Sequence, residues 1–255
     1  MKNDSEKAHK TLKNSTLLIV ARYPAVFSPL AFLSMGIFHL PLMLNKKINF
    51  YKLMGCGKNR TFDLNPDLRQ WAIMVFFQFD DEKDISLESI QNQILGSFIM
   101  TWWKICRVKK TVFVLEPVAG HGTWDGKEFI APYQKQTETA GKIAVLTRAT
   151  IRLSKLRQFW GAVPAAAMDL SGSKGFLYSI GIGEIPFVKQ ATFSIWNSVE
   201  EMKQYAYGRK EHQEVIKRTR KEDWYSEEMF LRFRVLKDNL PGTPSSSSPQ
   251  NNNDQ

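Results

Sequence analysis

The chain contains the same short pattern twice, and this internal repeat limits the folds that it can adopt. Residues 50–80 and 176–199 both read as a strand ending in Gly-x-Gly, a polar connection, a second apolar strand and a helix start. Such a repeat indicates tandem duplication of one small α+β unit. In the helix that follows, counted from Gly96 and Gly208, Met100 of the first copy stands where His212 stands in the second. A duplicated scaffold can keep one copy for structure and use the other for chemistry, so His212 is the first candidate for a functional residue.

Hydrophobic periodicity extends the pattern to a complete fold. It predicts strands at 16–22, 50–55, 71–79 and 111–117 with helices at 28–45 and 86–104, then strands at 143–151, 175–182, 190–196 and 229–236 with helices at 153–168 and across 198–221. Each half is then a ferredoxin-like βαββαβ unit. A four-stranded antiparallel sheet with helices on one face must cover its other face, and two such sheets in one chain can cover each other. The predicted fold class is therefore α+β, with tandem ferredoxin-like repeats forming a pseudo-dimeric α/β barrel.

The predicted organisation is a disordered tail (1–14), repeat one (15–118), a linker (119–142), repeat two (143–238) and a second disordered tail (239–255). The last segment is low-complexity Pro, Ser and Asn with little to bury. In each repeat the two glycines of Gly-x-Gly, Gly55 with Gly57 and Gly181 with Gly183, share one face of a strand. They either leave a flat recess for a ligand or mark a bulge or strand end.

The formal net charge of +10 and the pI of about 9.5 suit a nucleic acid, an anionic membrane surface or an acidic protein partner. The basic residues are scattered apart from 203–221, where they alternate with acids as on a solvated helix face. No RNA-binding or helix-turn-helix signature is present, so nucleic acid is the weakest explanation. The isolated cysteines Cys56 and Cys106 indicate neither a disulfide framework nor a zinc site, which favours a reducing, cytoplasmic setting.

Residues 25–44 carry no formal charge and are long enough to raise the question of a membrane span. Pro24, Pro29 and Pro41 and the role of first helix in repeat one argue against a span. A signal peptide is disfavoured because the apolar stretch starts late, after a tail of mixed charge. We expect a helix that is buried or docked at a membrane interface.

His212 is the main candidate for chemistry. On a helix it shares a side with Val215 and Ile216, so it faces inward, where a histidine is either an axial metal or heme ligand or a core residue satisfied by a carbonyl. No hydrolase elbow, phosphate-binding loop, zinc-protease motif or paired-carboxylate pattern is present. His39 is expected to pack in the first helix, and His121 is either an exposed loop residue or a pocket wall.

Arg148 projects from the same strand face as Leu146, and Arg22 holds a similar place in repeat one. Arg148 could pair with a carboxylate such as a heme propionate, or form an ion pair with a glutamate at the barrel rim. Aromatic residues are plentiful in repeat two, and Phe193 and Trp196 are taken as candidates for a substrate pocket. Aromatic residues at this spacing also make ordinary core.

Several blocks of the sequence resemble the spheroidene monooxygenase family, over about residues 16–237. The matching blocks are IAVLTRATIR (143–152), FW..VP (159–164), GIGEIPFVKQATFSIW (181–196), AY....H...I...R...W.SEEMFLRFRVL (206–236), FYKLMGCG (50–57) and WDG (124–126). The resemblance implies a dioxygen-dependent oxygenase that introduces a keto or hydroxyl group near the end of an acyclic carotenoid such as spheroidene or spirilloxanthin. It also implies a heme cofactor and electrons from reduced ferredoxin.

Related dimeric α/β barrel hemoproteins use a proximal histidine, and His212 matches the family's histidine in the block H...I...R. The resemblance therefore implies that His212 is the axial ligand of the heme iron, with the sixth position left for dioxygen. A basic surface suits an acidic ferredoxin, and a lipophilic substrate suits peripheral contact with the inner face of the cell membrane.

Two other functions stay open at this point. One is a non-catalytic heme- or isoprenoid-binding protein on the same barrel. The other is a cofactor-free barrel monooxygenase of the antibiotic-biosynthesis type, in which His212 transfers protons or belongs to the core.

Overall fold

The protein forms a closed barrel of eight antiparallel strands in a computed structural model that describes residues 12–58, 65–80, 85–130, 141–167, 170, 172–208, 218–219 and 221–241. The strands are β1 (Leu12–Arg22), β2 (Ile48–Gly57), β3 (Pro66–Asp80), β4 (Lys109–Gly122), β5 (Ile143–Ile151), β6 (Phe176–Ile185), β7 (Lys189–Trp196) and β8 (Tyr225–Asp238). The helices are α1 (Ser28–Ile37), α2 (His39–Leu44), α3 (Leu87–Ile105), α4 (Leu156–Ala167) and α5 (Val199–Gly208). The predicted fold class is confirmed.

The barrel order β1-β3-β2-β6-β7-β5-β8-β4 contains two sheets of identical connectivity. We call β1–β4 sheet one and β5–β8 sheet two. They join where β2 meets β6 and where β4 meets β8. At the first seam Gly55 lies opposite Gly183 and Cys56 opposite Ile182. At the second seam Glu116 lies opposite Arg234, with 3.3 Å between Glu116 Oε2 and Arg234 Nη1.

The Gly-x-Gly pairs mark the first seam. The register shifts between Gly55 and Gly57 on β2 and between Gly183 and Ile185 on β6, so the glycines stand at irregular strand ends. A side chain at Gly183 would come within 2.8 Å of Gln190 Nε2. Gly183 therefore allows β7 to pack closely against the end of β6, whereas a Cβ at Gly55 would make only an ordinary contact, 3.9 Å from the Gly183 carbonyl oxygen across the seam.

Alternate residues of every strand point into the barrel, and together they form a packed core. The interior residues include Leu18, Met74 and Phe113 of sheet one and Leu146, Phe193 and Phe233 of sheet two, all fully buried. The alternate residues on the outside of sheet one pack against α1, α2 and α3 in a second apolar core. The outside of sheet two has smaller apolar clusters against α4 and α5.

The predicted helix at 28–45 is in fact two helices. Pro41 lacks an N–H, and its ring would clash with the carbonyl of Ile37, the residue four positions earlier, so α1 ends at Ile37 and α2 begins at His39. The helix predicted at 86–104 begins after its N-cap Ser86, whose hydroxyl accepts a hydrogen bond from the Ser89 N–H at 3.2 Å. It kinks at Gly96, where φ is +78°. Of the helices predicted across 198–221, the structure describes α5, and residues 209–217 lie outside the described part.

Candidate functional site

An ion-pair cluster around the buried Arg148 closes one end of the barrel interior. It contains the three cations and three carboxylates Arg148, Lys52, Lys189, Glu227, Glu184 and Asp125, which we call the rim cluster. Arg148 is 1% exposed, donates from Nη1 to Glu227, and has Nη2 at 3.4 Å from Glu184 Oε1. Lys52 pairs with both Asp125 and Glu184, and Lys189 Nζ lies 3.1 Å from Asp125 Oδ1. The opposite charges of the cluster balance.

The surroundings of these groups favour their charged forms. Burial raises the pKa of Glu227, but the Gly126 N–H, Arg148 and the Thr123 hydroxyl together bring it below its ordinary value. Burial likewise raises the pKa of Asp125, but its ion pairs with Lys52 and Lys189 lower it overall. Glu227 and Asp125 are therefore ionised at neutral pH and form ion pairs with the cations of the rim cluster.

The segment after β4, predicted to be a linker, covers the rim cluster and enters the barrel mouth. Trp124 is fully buried, and its indole Nε1 donates to Glu184 Oε1 at 2.8 Å. The guanidinium carbon of Arg148 lies 5.6 Å from the centroid of the Trp124 ring, a cation–π contact. The chain turns into this position at Gly122, where φ is +81° and a Cβ would lie 2.1 Å from the Glu228 carbonyl oxygen. Only glycine fits there without strain.

The candidates from the sequence take different places in this structure. Arg148 forms the rim ion pairs, so a heme propionate at Arg148 stays a prediction and would require an exchange of carboxylate partners. Phe193 is fully buried inside the barrel, whereas Trp196 is on the outside of sheet two, against Tyr205 of α5. The two predicted pocket residues thus face opposite sides of β7 and are not brought together. Arg22 lies at the surface, with Nη1 at 3.4 Å from Asp67 Oδ2.

His212, the predicted heme ligand, lies outside the described residues. His39 lies on the surface of α2, where its Nδ1 is 3.1 Å from the Tyr51 hydroxyl. His121 is exposed near the end of β4 and stacks on Phe230 at 5.6 Å between ring centroids. His121 belongs to sheet one and borders the outer surface of sheet two at the seam between β4 and β8.

The outer faces of the two sheets differ in polarity, and the duplication allows a comparison of equivalent positions. The strand registers pair Leu17 with Val75 and Val114, and Ile19 with Ile73 and Val112, in sheet one. The same registers in sheet two pair Val145 with Ser194 and Arg232, and Thr147 with Thr192 and Phe230. All six positions are buried and aliphatic in sheet one. In sheet two, four of the six are polar, and Thr147 is exposed.

This difference makes the outside of sheet two the candidate site. The apolar face of sheet one is filled by its helices, as a structural copy requires. Ser194 and the two threonines are smaller or more polar than their aliphatic counterparts, so they cannot build an equivalent core with α5. A face of this kind beside aromatic residues such as Phe230 and Tyr205 suits an amphipathic ligand.

Arg232 is the most unusual residue on this face. It is 7% exposed, and its Nε has no hydrogen-bond partner. Within the part of the chain that the structure describes, no carboxylate pairs with its guanidinium. Its counterpart in sheet one is Val114, at 2% exposure. A buried guanidinium without a counter-ion is costly unless an anion comes from elsewhere, so Arg232 is suited to bind a carboxylate.

The equivalence between Met100 and His212 stays a prediction from the sequence count. In the first copy, α3 kinks at Gly96 and continues to Ile105. Met100, four residues after Gly96, packs in the core between α3 and the outer face of sheet one. His212 follows Gly208 by the same four residues in the sequence.

Two cavities lie elsewhere. One of about 500 Å³ is lined by Phe50, Phe76 and Phe129 among others, beside the segment that covers the barrel mouth. One of about 200 Å³ is lined by Arg22, Lys110 and Tyr178 among others. They open near opposite ends of β1, away from the outer face of sheet two.

Sequence reasoning missed Arg232, Thr147, Thr192 and Ser194. An alignment of the two repeats, strand by strand, would have found them. In that alignment each of these polar residues occupies the position of an aliphatic residue in the first repeat.

Comparisons with known proteins complete the description. No family model matches the chain. The spheroidene monooxygenase of Cereibacter sphaeroides is 34% identical over 203 residues, which are 79% of this chain and 59% of that protein. The spheroidene monooxygenase of Rhodobacter capsulatus is 33% identical over 198 residues, which are 77% of this chain and 79% of that protein. The chain thus spans less than two thirds of the first relative's length.

Among solved structures, an aldoxime dehydratase in complex with butyraldoxime has a TM-score of 0.56 at 9% identity, with coverage of 88% of this chain and 79% of that one. At this identity the similarity shows the fold alone.

Proposed function

This chain belongs to the spheroidene monooxygenase family, and from that premise we propose that it is a dioxygen-dependent monooxygenase of acyclic carotenoids. The product carries a new keto or hydroxyl group near the end of the polyene chain. The cofactor is a heme group with His212 as the axial ligand of its iron.

The observation that carries this proposal is the difference between the outer faces of the two sheets. Heme is a flat, largely apolar macrocycle with two carboxylates at one edge. The outer face of sheet two combines apolar and aromatic side chains, small side chains in place of core residues, and the buried Arg232, for which the described residues supply no carboxylate. This set of residues fits heme, whereas the filled face of sheet one does not.

Each residue of the proposed site has a separate task. His212 provides the imidazole for the iron, and Arg232 provides the cation for a propionate. The small side chains of Ser194, Thr192 and Thr147 leave space for a macrocycle over this face of the sheet. Phe230 and Tyr205 limit the access of water and offer aromatic surface to a lipophilic substrate. Heme, when bound, supplies dioxygen activation coupled to one-electron reduction.

The proposed electron donor is a reduced ferredoxin or a similar small acidic protein. Support comes from the net charge of +10, which favours association with an acidic partner at low salt. The proposed location is the cytoplasm, where the donor and the reduced cysteines are both accommodated. Cys56 and Cys106 are buried free thiols.

The first experiment is the absorption spectrum of the full chain purified after expression with added heme. Wild-type protein should show a Soret band that shifts with dithionite and carbon monoxide. In His212→Ala the band should be lost or shifted, while His39→Ala, on the surface of α2, should leave it unchanged. A colourless wild-type protein with correct folding would refute the heme proposal, and an unchanged band in His212→Ala would refute His212 as the ligand.

The activity itself needs a second experiment. Heme-loaded protein, reduced ferredoxin, a ferredoxin reductase system and dioxygen are mixed with spheroidene in detergent micelles, and the products are analysed by mass spectrometry. Under ¹⁸O₂ the product should gain labelled oxygen. Heme binding without labelled product would favour a non-catalytic heme protein.

A further inference from the structure

The surface of α1 and α2 is apolar on the side that faces solvent. Phe32 is 70% exposed, Leu40 62%, Met43 68% and Leu44 71%. Between Ala25 and Leu44, every exposed residue other than His39 lacks a polar side chain. We call the exposed part of 25–44 the apolar patch.

A helix on the surface of a globular protein normally carries polar residues on its outer side. Helix α3 follows that rule in its first turns, with Glu88 and Ser89 near its start. The apolar patch does not, and it continues onto Phe98 of α3, which is 49% exposed and lies 6.4 Å from Phe38 between ring centroids. A contiguous apolar surface with no charged residue indicates a contact surface for another body.

The charges around the patch indicate the nature of that body. Lys46 and Lys47 are exposed directly after α2, and Lys104 and Arg107 are exposed on both sides of Ile105, which is 68% exposed at the end of α3. If two copies of the chain met through this patch, these cations would face one another. An anionic lipid surface would complement them.

The patch is suited to lie in a membrane surface rather than to cross it. By length and composition 25–44 could span a bilayer. Its other side is, however, part of the protein core: Ala31, Phe38 and Leu42 are buried against sheet one. Ser34 is also held there, with the Tyr23 hydroxyl 3.2 Å from the Ser34 hydroxyl and the Trp103 indole N–H donating to Tyr23 at 3.1 Å. A span would require this core to open.

We propose that α1 and α2 dock the protein on an anionic lipid bilayer as a peripheral anchor, with Phe32, Leu40, Met43 and Leu44 inserted at the level of the acyl chains. Lys46 and Lys47 contact the phosphates. This inference stands on the apolar patch and the cations beside it, and it holds whether or not the protein binds heme.

The test is flotation of the full-length protein with vesicles in a sucrose gradient. The vesicles consist of phosphatidylcholine and phosphatidylglycerol in equal parts, or of phosphatidylcholine alone. Wild-type protein should float with the mixed vesicles and much less with the neutral ones. The double variant Leu40→Ser/Leu44→Ser should bind about 100-fold more weakly, because two large apolar side chains are lost from the lipid contact. Lys46→Gln/Lys47→Gln should bind about 30-fold more weakly, on the mixed vesicles only.

Leu153→Ser is the matched control, since Leu153 is 74% exposed but lies outside the patch, just before α4. It should float like wild type. Circular dichroism melting checks that each variant is folded, and Phe32→Ser/Met43→Ser is a second, independent change of the patch. Wild-type protein that stays at the bottom of the gradient, or patch variants that float like wild type, would overturn the proposal.

Light scattering after size-exclusion chromatography tests the alternative that a second copy of the chain covers the patch. If wild type is a dimer and Leu40→Ser/Leu44→Ser is a monomer, the patch joins two copies and the lipid proposal is wrong. Heme loading is measured on the same samples, so that failure of docking is distinguished from failure of the proposed function.

Discussion

Replacing Arg232 by methionine should have opposite effects on the stability of the heme-free protein and on heme affinity. In the heme-free protein the variant removes a guanidinium that is 7% exposed and has an unpartnered Nε. Exchange of buried charges for apolar groups of similar size is neutral or stabilising by about 1–4 kcal/mol. A gain of about 2 kcal/mol would raise the Tm of a chain of this size by about 4–8 °C.

Heme binding should change in the other direction. A hydrogen bond to a charged group contributes about 1.5–3 kcal/mol, so loss of the Arg232 contact should raise the Kd for heme about 10- to 150-fold. The assays are calorimetric melting of protein expressed without heme supply, and heme titration followed at the Soret band.

Arg234→Met is the matched control, because Arg234 is on the same face of β8 but is half-exposed and paired with Glu116. Its melting temperature and heme affinity should stay close to wild type. A lower Tm for heme-free Arg232→Met would mean that the chain itself supplies the counter-ion, and an unchanged Kd would mean that Arg232 does not contact heme.

Three further predictions concern the closed end of the barrel. Trp124→Ala should lower the free energy of unfolding in urea by about 3–5 kcal/mol, because a fully buried indole is lost; a loss under 1 kcal/mol would show that the 122–130 segment contributes little to folding. The lowered pKa values of Glu227 and Asp125 predict stabilisation that is complete above their unfolded values of about 4 and is lost as the pH falls through the folded values; Tm measured from pH 6 down to pH 3 should fall less steeply in Glu227→Gln, and equal slopes would contradict this. Gly122→Ala should lower Tm more than Gly126→Ala, since both glycines have positive φ but only a Cβ at residue 122 would meet the Glu228 carbonyl.

The fold could be predicted from the sequence because its signals are local and occur twice. Alternating apolar residues identified all eight strands, and the repeated strand order gave the ferredoxin-like units. The helix break between α1 and α2 depends on one residue, Pro41, and a single proline hardly changes the apolar pattern of 28–45.

The rim cluster and the outer face of sheet two were harder to predict, because the roles of their residues depend on partners that are distant in the sequence. Arg148 was noticed as an arginine among apolar residues, but its partners come from β6, from β8 and from the segment after β4, far apart in the sequence. Trp196 was grouped with Phe193 because both are aromatic, although positions 193 and 196 differ in strand face. Arg232 lies within a run of alternating residues that reads as an ordinary strand. It is distinguished in the fold by its burial and by the absence of a paired carboxylate among the described residues.

The two buried arginines of sheet two differ in the carboxylates that surround them. Both replace aliphatic residues of the first copy, since Arg148 corresponds to Val20 and Arg232 to Val114 by strand register. Inside the barrel the change to Arg148 is accompanied by Glu227, Glu184 and a tryptophan cover, so the new charge is neutralised by the protein itself. Outside the barrel, no carboxylate among the described residues pairs with Arg232. A buried charge that the protein itself neutralises contributes to structure. A buried cation without a counter-ion favours the binding of an anionic ligand, because the ligand supplies the missing partner. We therefore expect the chemistry of the second copy on its outer face, where α5 packs.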